Sequence, residues 1–213
     1  MFTSLGLAYA YPGRAELRFP DVELAAGKRL LILGASGAGK STLLGLWAGL
    51  LSPKRGSVTL GGVRVDALQS AARDRWRGRH VGLVFQSARL VASQSVASNI
   101  QLPRKLAGLP TLPTPELAAR GARLGVEHLL GRAPEDCSVG ERQRVGILRA
   151  LAADPSLILA DEPTSALDRA NALAVGKLLC EHAEASGAAL AVVTHDDRLR
   201  PLFSETLEID AGQ

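Results

Sequence analysis

Cysteine, aromatic residues and long apolar runs are all scarce in this sequence, and each scarcity excludes a class of protein. The two cysteines, Cys137 and Cys180, stand in unlike contexts, which leaves neither a disulfide framework nor a thiolate metal motif. Aromatic residues make up 4% of the chain, so we expect an aliphatic core. No apolar run approaches the roughly 18 residues of a membrane span, and the start shows no secretion signal. We therefore expect a cytosolic protein in a reducing compartment.

What the chain does contain fits a single α/β unit. Its 213 residues are enough to bury a core, and 46% of them are hydrophobic. The net charge of +4 suits nucleotides, nucleic acid and anionic lipid equally well. The positive charge is densest in RDRWRGRH, which carries Arg73, Arg75, Arg77 and Arg79. A solvated face is the default interpretation of such a run, and a membrane-facing or partner-facing role is the alternative.

The stretch LLILGASGAGKSTLL, residues 30–44, predicts a phosphate-binding loop. An apolar run of strand character leads into a GxxxxGK[ST] loop, and a helix-forming series follows. Backbone N–H groups of such a loop cradle a polyphosphate, Lys40 adds charge near the β and γ phosphates, and Ser41 offers a hydroxyl to Mg²⁺. A Gly-rich turn with a solvated lysine would match this spacing by chance on the order of one time in a hundred. The predicted nucleotide-binding residues are Gly34, Ala35, Ser36, Gly37, Ala38, Gly39, Lys40, Ser41 and Thr42.

Strands alternate with helices along the rest of the chain, which predicts a mainly parallel sheet. We expect N-terminal strands at 4–9 and 17–24, and a hairpin of 57–60 with 63–65 across Gly61-Gly62. From residue 87 to about 133, prolines break the pattern into short helical pieces, so this part is predicted to be a helical insertion.

Polar residues follow three of the predicted buried strands. Asp161 and Glu162 end the strand 157–160, His195 follows the strand 190–194, and Gln86 ends the strand 81–85. Ligands of open α/β sheets bind at this edge, so we assign Asp161 to Mg²⁺ through water and Glu162 to general base catalysis. Successive side chains of a strand point to opposite sides, which would separate the two roles. His195 could donate to the γ-phosphate, although a lone histidine is more often structural; Gln86 suits orienting water or Mg²⁺.

The segment CSVGE, residues 137–141, opens a predicted helix. Ser138 and Glu141 have the spacing of a capping box, S-x-x-E, which by itself could explain both residues. Cys137, if exposed at this helix N-terminus, could carry a lowered pKa, and alkylation of its thiol would then inhibit turnover.

Together these motifs resemble those of the nucleotide-binding subunits of ATP-binding cassette (ABC) transporters, over essentially the whole chain. The matching features are the P-loop, the Q-loop glutamine Gln86, the signature segment from Ser138, the Walker B acids Asp161 and Glu162, Asp168 of the D-loop, and the switch histidine His195. The implied fold class is α/β: a P-loop NTPase with a RecA-like, mainly parallel sheet, an N-terminal antiparallel β subdomain and a helical insertion. Residues 1–213 would form one ATP-binding domain, with the helical subdomain at about 87–150.

The resemblance implies that two copies bind two ATP molecules head to tail, each between the P-loop of one copy and the signature segment of the other. Ser138 and Gly140 would face a γ-phosphate in trans, and Asp168 would cross the interface. Tyr11 resembles the aromatic residue that stacks on adenine, although a tyrosine packed on the surface is the alternative. Mg²⁺ would be held through Ser41, Gln86 and Asp161.

Two residues depart from the usual Leu-Ser-Gly-Gly-Gln signature. Val139 replaces a glycine where backbone approaches phosphate closely, and Glu141 places a negative charge near the helix N-terminus that receives it. We expect ATP binding to survive and hydrolysis to be slow.

The segment HVGLVFQSARLVASQSVASNIQLP is similar to the lipoprotein-releasing and macrolide-exporter type of cassette. The implied partner is an integral membrane permease whose coupling helix contacts residues 86–99, with the chain peripheral on the inner face of the cell membrane. The alternative is a soluble ABC-type ATPase acting on a protein assembly or nucleic acid; the single cassette and the absence of a DNA-binding module make nucleic acid unlikely. A P-loop kinase or GTPase would leave the signature helix and Asp168 unused.

Overall fold

A computed structural model describes residues 1–165, 167 and 169–209 of the chain. In chain order the strands are β1 (Phe2–Tyr9), β2 (Leu17–Arg18), β3 (Val22–Leu24), β4 (Arg29–Gly34), β5 (Arg55–Leu60), β6 (Val63–Arg64), β7 (Val81–Val84), β8 (Leu157–Asp161), β9 (Ala189–Val193) and β10 (Glu205–Ile209). The α-helices are α1 (Lys40–Trp47), α2 (Ser70–His80), α3 (Val96–Leu106), α4 (Thr114–Arg123), α5 (Val139–Leu151) and α6 (Arg169–Ser186). Short 3₁₀ segments lie at Glu127–Leu129, Pro134–Asp136 and Asp197–Leu202.

The central sheet is parallel throughout, with the order β10-β4-β9-β8-β7. All five residues of β9, ALAVV, are buried, and so are the first four of β8. Strands that are covered on both faces read as continuous apolar runs rather than alternating ones, which is why these segments form the middle of a parallel sheet. The predicted α/β fold class is confirmed.

A second, antiparallel sheet is built from the N-terminal part of the chain. Its order is β2-β1-β5-β6, and β3 also pairs with β1. The hairpin of β5 and β6 turns at Gly61 and Gly62, both with positive φ, as predicted. The expected strand at 17–24 is two short strands instead, because Pro20 follows β2 and has no N–H for a ladder.

The arginine-rich run forms α2, which is anchored by the buried side chain of Trp76. Its arginines are not simply solvated. Arg77 donates to the carbonyl of Gly49 at 3.2 Å, and Arg79 donates to that of Ala107 at 3.0 Å. Arg75 remains exposed.

The register of the parallel strands brings the predicted site residues to one edge. Ile32 in β4 pairs with Val193 in β9, and Val193 pairs with Asp161 in β8. The segments that follow these three strands therefore emerge side by side at the carboxyl edge of the sheet. Within the described part of the chain, no helix is long and apolar enough to cross a membrane.

Candidate functional site

The loop between β4 and α1 is closely packed at two of its glycines, Gly34 and Gly39. Gly39 precedes α1 with φ +91°, and a Cβ there would lie 3.2 Å from the ring of Phe19. A Cβ on Gly34 would overlap the carbonyl oxygen of Ile209 in β10. The first-turn N–H groups of α1, which have no partner within the helix, thus open directly onto this loop.

Lys40, the first residue of α1, is 8% exposed. Its Nζ donates to the carbonyl oxygens of Gly34 at 2.7 Å and of Ala35 at 3.0 Å. These contacts hold the ammonium group inside the loop, where phosphate oxygens would approach it.

Asp161 ends β8 beside the P-loop. Burial raises the pKa of the Asp161 carboxyl, while a hydrogen bond from Ser41 and the charge of Lys40 oppose that rise. The carboxylate of Asp161, the hydroxyl of Ser41 and the amide of Gln86 are hard oxygen donors, which suit Mg²⁺. Among the described residues, no group of three or more His, Cys, Asp or Glu side chains could hold a metal by itself. The donor set therefore fits a cation held jointly with a phosphate.

Glu162 leaves the extended geometry of β8. Its φ is +46°, and its N–H donates to the carbonyl of Val193 at 2.8 Å. Its carboxylate lies 2.9 Å from His195 Nδ1 and accepts from Thr194 Oγ1 at 3.0 Å. The expected alternation of Asp161 and Glu162 to opposite sides is wrong, because this left-handed turn brings both carboxylates to one cleft.

That cleft has a volume of about 780 Å³. It brings together Tyr11, Ser36, Gly37, Gly39, Lys40, Ser41, Thr42, Gln86, Asp161, Glu162 and His195, and it is also lined by Arg14, Ala15 and Leu17. The predicted residues Gly34, Ala35, Ala38, Ser138 and Gly140 are outside this lining. The predicted interface residue Asp168 lies outside the described residues.

Tyr11 lies at the mouth of the cleft with 39% of its surface exposed. Its hydroxyl is 3.2 Å from Thr42 Oγ1 in α1, and its ring meets that of Tyr9 edge to face at 5.0 Å. An exposed ring beside the P-loop is available for stacking on a base.

The signature helix α5 begins with the predicted capping box. Ser138 Oγ accepts from the N–H of Glu141 at 3.3 Å, and the Ser138 N–H donates to Glu141 Oε2 at 2.7 Å. This contact lowers the pKa of the Glu141 carboxyl. Glu141 is therefore ionised beside the helix N-terminus at neutral pH.

The expectation that Cys137 is an activated, accessible thiol is wrong. Cys137 is 3% exposed, and burial, followed by the charge of Glu141, raises its pKa. The apolar cluster beneath α5 includes this side chain, so alkylation is not expected to reach it readily.

Two buried polar residues that sequence reasoning left without a role hold backbone segments together. Gln143, 4% exposed on α5, donates to the carbonyls of Phe85 at 3.1 Å and Pro163 at 3.2 Å. Asn99 accepts from the N–H of Val91 at 2.7 Å and donates to its carbonyl at 3.0 Å. In the sequence, both residues could have been noticed because each places a polar side chain on the buried face of a predicted helix, where it needs a hydrogen-bond partner.

Comparison with known proteins identifies the family to which this chain is similar. The sequence profile of the ABC transporter family matches residues 17–165. The chain is 39% identical over 201 residues to the lipoprotein-releasing system ATP-binding protein LolD of Psychrobacter arcticus. This alignment covers 90% of this chain and 86% of that protein. It is 37% identical to the methionine import ATP-binding protein MetN of Caulobacter vibrioides, covering 100% of this chain and 64% of that protein.

Solved structures agree with the sequence matches. The dimeric structure of MJ0796, a bacterial ABC transporter cassette, superposes with a TM-score of 0.90 at 28% identity, covering 100% of this chain and 95% of that one. A dimeric post-hydrolysis state of the same cassette, bound to ADP and Pi, gives a TM-score of 0.87 at 27% identity and covers 100% and 97%. Matches of sequence and fold over nearly the whole length show that the chain belongs to the ABC transporter family of ATP-binding cassettes.

Proposed function

We propose that this protein is the ATP-hydrolysing subunit of an ABC transporter complex, peripheral on the inner face of the cell membrane. The observation that carries the proposal is one cleft of about 780 Å³ lined by the P-loop, by Asp161 and by the Glu162–His195 pair. Such a cleft combines a phosphate cradle, oxygen donors for a cation, and a carboxylate that can take a proton.

In this proposal the P-loop and Lys40 hold the β and γ phosphates, and Tyr11 stacks on the adenine. Mg²⁺, bound with ATP through Ser41, Gln86 and Asp161, would neutralise phosphate charge. Glu162 accepts a proton from the attacking water, and His195, 2.9 Å from it, orients the carboxylate and faces the γ-phosphate. Gln86, which lies just after β7, orients water in the same cleft.

We propose further that two copies complete each site. Ser138 and Gly140, which do not line the cleft of their own chain, would meet the γ-phosphate bound by the second copy. Asp168 would contribute at the same interface. The dimeric MJ0796 cassette is a relative in which two copies assemble.

The signature residues Val139 and Glu141 are expected to slow turnover. Glu141 holds a carboxylate 2.7 Å from the Ser138 N–H, where a γ-phosphate would arrive, and Val139 is 54% exposed on the same turn. In the double variant Val139→Gly, Glu141→Gln, the glutamine oxygen can still accept the hydrogen bond from the Ser138 N–H. The negative charge of Glu141 is removed. We expect its ATP hydrolysis to rise roughly two- to fivefold, measured over a range of protein concentrations.

Glu127→Gln is the matched control, because Glu127 is exposed and lies in a 3₁₀ turn outside α5. Equal turnover of the double variant and the wild type would show that these residues impose no cost.

The membrane partner is proposed to dock in a groove of about 560 Å³ between α2, β7, α3 and α5. Leu83, Phe85, Leu102 and the 72% exposed Leu106 give it apolar walls. Its arginines are Arg75, Arg77, Arg89 and Arg149, whereas the acid among its described lining residues, Asp74, pairs with Arg77 at 2.5 Å. An amphipathic helix with acidic residues complements such a groove. Of its wall residues, Arg89 lies within the segment 86–99 where docking is expected, and Phe85 directly precedes that segment.

Charge reversal in this groove tests the transporter assignment. The tagged chain would be purified from gently solubilised membranes, and the polytopic membrane protein recovered with it would be quantified per chain. Arg75→Glu is expected to lower that recovery about tenfold, because an acidic partner would now meet a like charge. ATP hydrolysis by the isolated variant should remain within about twofold of wild type.

Arg123→Glu is the matched control, since Arg123 is exposed on α4 and does not line the groove. Recovery of the wild type without a stoichiometric membrane protein, or with soluble proteins or nucleic acid instead, would contradict the transport assignment and leave the ATPase assignment standing.

A further inference from the structure

The carboxylate of Glu162 is held by two partners that differ greatly in solvent exposure. His195 Nδ1 lies 2.9 Å from Oε1, and the His195 side chain is 72% exposed. Thr194 Oγ1 lies 3.0 Å from Oε2, and Thr194 is completely buried. One oxygen therefore contacts an exposed side chain, and the other contacts a buried one.

The Thr194 hydroxyl is the donor in its contact with Glu162 Oε2. The N–H of Asp196 donates to Thr194 Oγ1 at 3.0 Å, which occupies a lone pair of the hydroxyl. A carboxylate that acts as a general base has no hydrogen to give, so the single hydroxyl hydrogen of Thr194 points to Glu162 Oε2. The result is a short chain from the Asp196 N–H through the hydroxyl to the carboxylate.

Backbone contacts tie Thr194 to the phosphate-binding side of the site. Its N–H donates to the carbonyl of Ile32 at 3.1 Å, two residues before Gly34 ends β4. The preceding residue, Val193, accepts the N–H of Glu162. Thr194 is thus joined both to the strand that leads into the P-loop and to the turn that carries Glu162.

We propose that Thr194 is a positioning residue for Glu162: it anchors Oε2, so that Oε1 is the oxygen that takes the proton of the attacking water. This inference rests on the proposed function, in which Glu162 is the general base. The φ of +46° at Glu162 is a costly conformation for a residue with a side chain, so the surrounding structure must hold this turn in place. Without the hydroxyl, the carboxylate can rotate about its terminal bonds and lose its alignment with the water.

The proposal predicts a loss in kcat without a loss in ATP affinity. Thr194 does not line the nucleotide cleft, so its hydroxyl is not available to ATP. Thr194→Val keeps the shape and removes the donor; we expect kcat for ATP hydrolysis to fall roughly 10- to 100-fold, with KM within about twofold. Thr194→Ser, which restores the hydroxyl, should recover kcat to within about threefold of wild type.

Thr164→Val is the matched control. Thr164 is 2% exposed, and its Oγ1 has no hydrogen-bond partner among the residues that the structure describes, so the same substitution removes a buried hydroxyl that does not contact Glu162 there. Its kcat should stay within about threefold of wild type. Thermal unfolding and ATP binding of all variants would show that they are folded. If Thr194→Val does not fold, Thr194→Cys, with its weaker S–H donor, should show an intermediate kcat.

Three outcomes would overturn the proposal: wild-type kcat in Thr194→Val or Thr194→Cys, an equal loss in Thr164→Val, or a loss that Thr194→Ser does not recover. A different result would overturn the proposed function instead. If Glu162→Gln hydrolyses ATP normally, Glu162 is not the base, whatever Thr194 does.

Discussion

Glu162→Gln is expected to bind ATP as the wild type does and to lose at least about 100-fold of its hydrolysis rate. Glutamine has nearly the same shape and can still accept from Thr194 Oγ1 and contact His195, but it cannot take a proton from water. Loss of a general base typically costs about 10²- to 10⁴-fold. Steady-state phosphate release and equilibrium binding of a fluorescent ATP analogue would measure the two effects separately.

The same variant should accumulate as an ATP-bound dimer, because the nucleotide that joins two copies is no longer consumed. Size-exclusion chromatography with Mg-ATP should show a doubled mass for Glu162→Gln and not for the wild type. Glu205→Gln, an exposed carboxylate in β10, is the matched control and should behave as wild type in both assays. Normal turnover in Glu162→Gln would remove this residue from the base role.

Lys40→Ala should lose about 100-fold or more in ATP affinity. Lys40 is 8% exposed, and its ammonium group lies between two loop carbonyls, so its charge is poorly screened where the triphosphate would bind. A charged hydrogen bond to phosphate contributes about 1.5–3 kcal/mol, and 2.7 kcal/mol corresponds to about 100-fold in affinity. Isothermal titration with Mg-ATP would measure the change directly.

Lys28→Ala is the control for Lys40, since Lys28 is an exposed lysine on the turn before β4. Its affinity should stay within about twofold of wild type. Thermal unfolding without nucleotide separates loss of the phosphate contact from loss of the two carbonyl contacts, because only the latter would lower the unfolding temperature. Unchanged affinity in a folded Lys40→Ala variant would contradict the role of this side chain.

These two variants affect different steps, and the geometry explains why. Lys40 contacts the P-loop itself, so its loss should be seen in binding. Glu162 contacts residues that follow β9, so its loss should be seen in the chemical step. A variant that lost both together would indicate a general disruption of the cleft.

Much of the site could be predicted from sequence because its determinants are local. The P-loop is a strand, a glycine-rich turn and a helix N-terminus within fifteen residues, 30–44. The capping box of Ser138 and Glu141 needs only one helical turn, and the structure has both of its hydrogen bonds. The acids after β8 and the histidine after β9 were predicted at one edge because parallel strands align their carboxyl ends.

Predictions that depended on tertiary packing were less accurate. The exposure of Cys137 was wrong, because an N-terminal position in a helix does not decide what covers it; the apolar cluster beneath α5 does. The strand at 17–24 was interrupted at Pro20, and the left-handed turn at Glu162 broke the expected alternation. Pro20 was a local signal for the interruption, whereas nothing in a window of neighbouring residues reports the burial of Cys137 or the turn at Glu162.

The sequence by itself determined the chemistry that this protein carries: a phosphate loop with its lysine, two carboxylates and a histidine after buried strands, and a capped signature helix. These depend on backbone dihedrals and hydrogen bonds between residues close in the chain. Only the tertiary structure decided how they meet. Gly34 lies against Ile209, Gln143 joins Phe85 to Pro163, and Thr194 anchors Glu162. These pairs are far apart in the chain, and their meeting depends on strand order and register, which the packing of the whole core selects.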